Sequence, residues 1–118
     1  MGYIRHTAIV VTAWDVDTAE SARAEAERLG MHPTPVVGSH INGYGSFLCP
    51  PDGSKSGWDE DAAGNERRES FIGWMESPDR ESERMYLSWV EVDYGGDDEE
   101  LAYIVRHSGA PAVVTQRL

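Results

Sequence analysis

Tyr86 to Tyr94 read YLSWVEVDY, nine residues dominated by β-branched and aromatic side chains with no glycine or proline, and that is the composition of a β-strand. Ser88, Val90 and Val92 share one parity, and Trp89, Glu91 and Asp93 share the other. The alternation predicts a core face through Ser88, Val90 and Val92 and an increasingly wet face through the other three. Gly95 to Glu100 then turns the chain, and Leu101 to His107 returns as an antiparallel partner across a loop that is acidic and longer than a two-residue hairpin. The tail, residues 108–118, contains Ala112, Val113, Val114 and Thr115, the makings of an edge strand or of an arm that adds to a neighbour's sheet.

Upstream, Tyr3 to Thr12 is β-branched with apolar side chains on both parities, which predicts a central strand buried on both faces or nearly so. Asp17 with Glu20 forms a capping pair for a helix in which Ala19, Ala22, Ala26 and Leu29 recur at helical spacing, and Gly30 supplies a left-handed stop. Pro33 to Val37 extends, Gly38 to Gly45 turns, and Ser46 to Cys49 completes a hairpin. Pro50, Pro51, Asp52 and Gly53 end that strand, because proline cannot donate to a ladder and Asp52 before Gly53 favours a tight turn. A second helix starts from capping spacing at Ser56 and Asp59 and runs to about Ser77, with Phe71, Ile72 and Met75 on its buried side. Gly64 is a candidate break with Asn65 as a fresh cap, and Trp74 faces either core or partner. Asp79 to Arg84 is a charged loop.

The order β-α-β-β-α-β, followed by one or two extra strands, predicts an α+β protein of the split β-α-β, ferredoxin-like plan, in which two helices cover one face of an antiparallel sheet. The uncovered face must be polar or buried in an oligomer. With Tyr3, Trp89 and Tyr94 as candidates to lie there, a homodimer or larger ring is expected.

At 118 residues the chain is expected to be one domain, 1–118, around one core. Its single Cys49 cannot close an internal bridge, and the apolar run after Arg5 and His6 is too short for a signal-peptide core or a membrane span; both point to the cytoplasm. Net charge is −11, which repels a phosphate backbone and disfavours direct DNA or RNA binding. The acids either serve solubility or form a face toward a basic partner.

No motif for Ser-His-Asp catalysis is present, and the four histidines and Cys49 lack paired metal-ligand spacings, so neither a catalytic residue, nor a metal, nor a cofactor is assigned. Cys49 reads as a small buried hydrophobe. Asp59, Glu60 and Asp61, like Asp97 to Glu100, lack the alternating oxygen ligands of a calcium loop. The most suggestive set lies in and after NGYGSFLCPPDGSKSGW, Asn42 to Trp58. Lys55 and Ser56 at a helix N-terminus, with Asn65, Arg67 and Arg68 on the same helix, offer phosphate donors, while Tyr44 and Phe47 offer stacking planes for a base. A nucleotide-derived small molecule would suit such a set; alternatively the rings are core and the arginines pair with neighbouring acids. Arg5 with His6, and Arg106 with His107, are secondary candidates that would flank one pocket if their strands approach.

Taken together, YIRHTAIVVTAWD, INGYGSFLCPPDGSKSGWDED, LSWVEVDYGGDD and VRHS resemble a family of small phage-encoded proteins of unassigned function, over most of the chain up to Ser108. The resemblance implies an anti-defence accessory protein acting in the host cytoplasm. Two modes follow from it: sequestering a nucleotide-derived small molecule without turnover, or inhibiting a basic host protein through the acidic face of Asp93 to Glu100 and Asp59 to Asp61. A small nucleotide hydrolase is a third, weaker expectation.

Overall fold

The computed structural model describes residues 4–55, 57–77, 86–96 and 102–109. Within them the chain forms β1 (His6–Ala13), α1 (Val16–Arg28), β2 (Val37–Gly38), β3 (Gly45–Cys49), α2 (Asp59–Met75), β4 (Leu87–Tyr94) and β5 (Tyr103–His107). The strands make one antiparallel sheet in the order β2-β3-β1-β4-β5, so the α+β, split β-α-β plan holds, with one strand added beyond β4. The tail from residue 110, the charged loop at 78–85, the acidic turn at 97–100 and Tyr3 lie outside the described residues.

Both helices cover one face. Ile9, Val11 and Ala13 of β1, Phe47 and Cys49 of β3, and Leu87 and Trp89 of β4 meet Ala19, Ala22 and Ala26 of α1 and Phe71, Ile72 and Met75 of α2 in a single core. The alanine stripe brings α1 so close to β3 that a β-carbon at Gly45 would stand 2.9 Å from that of Ala19. Glycine is therefore required there for close approach. Trp74 stacks on Phe71 at 6.2 Å and belongs to the core margin.

Three local expectations need correction. The α1 cap is Asp15, not Asp17: its carboxylate accepts from the Thr18 N–H at 2.7 Å. That hydrogen bond holds the Asp15 carboxyl below its usual range. The second helix begins at Asp59 after Trp58, which makes no side-chain cap bond. It also runs through Gly64 without a break, so Asn65 is not a cap.

The largest correction concerns β4. Leu87, Trp89 and Glu91 face the helices and are buried, whereas Ser88 is exposed and Val90 and Val92 are half-buried on the opposite face. The combined bulk of Leu87 and Trp89 outweighs the two valines, and a carboxylate is carried into the interior with them. Strand β1 follows the same split, with Ile9 and Val11 fully buried and Val10 exposed. It is central in the sheet, and on the face away from the helices only Ala8, 2 % exposed, is buried, while His6 and Thr12 are half-buried.

The uncovered face is laid out in cross-strand rows. The register that pairs Ala13 with Gly45 and with Leu87 sets Tyr44 and Tyr86 on either side of Trp14. The Trp14 and Tyr86 rings are 4.9 Å apart. Thr12 and Ser46 share a 2.8 Å hydrogen bond in the next row, Leu48, Val10 and Val90 align in the third, and His6 meets Tyr94 at the far end with ring centroids 5.4 Å apart.

Candidate functional site

The turn after β3 builds the site. Pro50 and Pro51 stop the ladder, and Asp52 folds back to accept from both the backbone N–H of Ser54 at 2.9 Å and its hydroxyl at 2.6 Å. This carboxylate then lies against the α2 backbone at Gly64, where a β-carbon would collide with it. The predicted helix break is thus a helical glycine that seats Asp52. On the other side, α1 ends at Gly30 with φ 85° and the chain passes through His32 at φ 53°.

Between these segments lies a cleft of about 590 Å³, lined by Gly30, Met31 and His32, by Pro50 to Asp52 with Ser54, and by the first turns of α2 including Asp59, Glu60, Arg67 and Arg68. Its size is in the range of small-molecule sites.

Its two adjacent arginines differ. The Arg68 side chain is buried, donates to the Asn65 side-chain oxygen, and stands 3.6 Å from Glu91. Glu91, 2 % exposed, also accepts from Arg106 at 2.6 Å, and Arg106 reaches Glu69 as well. These two carboxylates drive the Arg106 pKa upward, the Glu91 hydrogen bond most strongly. Arg68 is therefore consumed by an internal network. Arg67 has no hydrogen bond or ion pair among the described residues and borders the cleft, its Nε 3.5 Å from where a Gly30 β-carbon would be. Asp52 feels both guanidinium charges. Burial alone would raise its pKa, but the Ser54 hydrogen bonds together with Arg68 and Arg67 leave it below the ordinary value.

The other residues expected at a ligand site scatter. Phe47 is core, 6.4 Å from Phe71, and presents no stacking plane. Tyr44 is exposed but precedes β3, whereas the cleft follows it, about 17 Å away along five strand residues. Lys55 bridges to Ile4 ahead of β1 and holds its ammonium 5.8 Å over Trp58, before the helix rather than at its first turn. Ser56 lies outside the described residues, and Asn65 serves Arg68. The secondary pairs do not flank one pocket. Arg5 sits over Tyr103 at 5.1 Å and 3.9 Å from Asp93, His6 packs on Tyr94, Arg106 goes to Glu91, and the His107 ring meets the Ser108 carbonyl. Strand β4 runs between β1 and β5 and keeps the pairs apart.

Asp93, one end of the proposed acidic face, is turned to internal work: it accepts from Thr7 and from the Tyr103 hydroxyl, and that hydrogen bond raises the Tyr103 pKa. Cys49 is buried, and desolvation pushes its thiol up to about 12. Among the described residues no group of three or more His, Cys, Asp or Glu side chains could hold a metal ion, and no helix is long and apolar enough to cross a membrane. The sequence missed the contributions of His32, Asp52 and Pro51. The signal for them was the strand stop itself, since a chain leaving β3 at two prolines has to fold against the next helix.

No protein-family model, curated protein or solved structure matches the chain.

Proposed function

We propose that this protein binds a small phosphorylated, nucleotide-derived molecule in the cleft between the end of α1, the β3–α2 turn and α2, and holds it without turnover. The observation that carries the reading is Arg67, a guanidinium without a hydrogen bond or ion pair among the described residues, bordering a cleft of about 590 Å³ beside an arginine already committed to Glu91. A guanidinium with open donors is a phosphate site. The acids on the same rim, Asp52, Asp59 and Glu60, are acceptors for ribose hydroxyls or an exocyclic amine, as carboxylates are in dinucleotide sites. Met31, Pro50 and Pro51 supply apolar wall in place of the aromatic plane first expected. In an anti-defence accessory protein, the role implied by the phage resemblance, such a site would withdraw a signalling nucleotide from the host.

The test is thermal melting of the purified chain with nucleoside phosphates, cyclic dinucleotides and ADP-ribose derivatives, followed by heat release and mass spectrometry. At a hundredfold excess over Kd a true ligand stabilises by about 2.7 kcal/mol, about 11 °C for a chain of this length, and it is recovered chemically unchanged. Arg67→Ala removes the shift without lowering the melting temperature of the unliganded protein. If every nucleotide class leaves the melting curve where it was, the reading fails; if the ligand is recovered as a cleaved product, the protein is a hydrolase.

A further inference from the structure

We infer that the uncovered face of the sheet is a self-association surface whose partner is a second copy of this chain, packed face to face. The chain carries 26 % Asp, Glu, Lys and Arg and a net charge of −11. Yet among the described strand residues none of these four types projects from that face, where His6, the buried Ala8, Val10 and Thr12 follow one another on β1, Trp14 comes just after it, and Leu48, Val90 and Tyr94 flank them. Two copies of so acidic a chain repel each other wherever acids meet. The uncharged face lets them approach without desolvating a single formal charge.

Two of its hydroxyls are already joined, since Thr12 and Ser46 share one 2.8 Å hydrogen bond across β1 and β3. The rim is aromatic at both ends. Trp14 is 60 % and Tyr44 43 % exposed beside Tyr86, and Tyr94 closes the other end; exposed aromatic rings are among the side chains enriched at interfaces relative to the rest of a surface.

The area suffices. Strands β1 and β4, eight residues each, run about 27 Å, and with the shorter strands at about 4.8 Å spacing they give about 450 Å² in flat projection per copy. Two copies hide about 900 Å² in projection, and the relief of the side chains brings the accessible area to the lower end of the roughly 1,200–2,000 Å² of specific interfaces. The inference does not depend on the cleft, which opens on the helical side.

Sedimentation equilibrium of the full chain across the micromolar range tests it. The wild type should sediment with the mass of two chains. Val10→Lys and Val90→Lys, each placing one charge at the centre of the face, should weaken the dimer at least about a hundredfold while far-UV circular dichroism stays native. Ser88→Lys, at an exposed position on the same face, repeats the test should either valine variant fail to fold. A single-chain mass for the wild type throughout that range overturns the inference, including the case where the chain's own residues 110–118 cover the face. So does a dimer that the lysine variants leave equally tight.

Discussion

Replacing Glu91 by glutamine is the perturbation on which the interior of this protein most clearly depends. The carboxylate is 2 % exposed; it accepts from Arg106 at 2.6 Å and stands 3.6 Å from Arg68. Glutamine keeps the shape and one acceptor but removes the charge, leaving the buried Arg68 guanidinium without its main counter-charge. Breaking a buried ion pair from one side costs about 3–5 kcal/mol. Arg106 is more exposed and keeps Glu69, so it rehydrates, and the lower end, about 3 kcal/mol, is the expected loss. With an unfolding entropy near 0.25 kcal/mol/K for this length, the melting temperature should fall by about 12 °C. Urea denaturation followed by tryptophan fluorescence measures the free energy directly, and an unchanged m-value confirms that the same surface is exposed on unfolding. Glu69→Gln, which touches only the exposed end of the network, should cost less than about 1 kcal/mol. If Glu91→Gln costs no more than about 0.5 kcal/mol, as an ordinary surface substitution does, the carboxylate is wet and the facing of β4 argued above is wrong.

Other outcomes follow from the same geometry. Gly64→Ala, which ordinarily strengthens a helix by about 1 kcal/mol, should destabilise this one by displacing Asp52, and the sign should reverse when Asp52→Gly is combined with it; urea midpoints of the four proteins decide. Asp52→Asn removes an anion whose charge interacts with Arg67 and should tighten inorganic phosphate binding, read by calorimetry. The Asp15 carboxyl is held below its ordinary 3.8 by Thr18, so its contribution is whole above that value and disappears as pH falls through the lowered one; Asp15→Asn should flatten that acid limb of the melting curve. Cys49 should resist thiol reagents at pH 8 until the chain unfolds. Because its thiol is raised from 9.0 to about 12, the stability it favours is complete below pH 9 and is lost as pH climbs toward 12.

The elements were legible because each had a local cause: alanines at helical spacing against a sheet, two prolines after Cys49, β-branched runs in β1 and β4. The facing of β4 was not, because a two-residue period says that two faces differ without saying which is inside. Ser88, Val90 and Val92 form the more regular apolar row, but Leu87 and Trp89 bury more area, and burial scales with area. Once they turn inward, Glu91 has to follow, and it is tolerable only because α2 and β5 deliver Arg68 and Arg106 to it from opposite sides. Neither arginine is near Glu91 in sequence, so no spacing could announce the network. The candidate site was half legible for the same reason. Arg67 and Arg68 are adjacent and look equivalent, yet successive helical positions point about 100° apart. One therefore reaches under the sheet to Glu91, and the other is left at the cleft. The same inversion frees the opposite face. With Trp89 and Glu91 turned toward the helices, β4 presents only serine, valine and tyrosine outward, and the described strands keep a surface without formal charge on a chain of net charge −11.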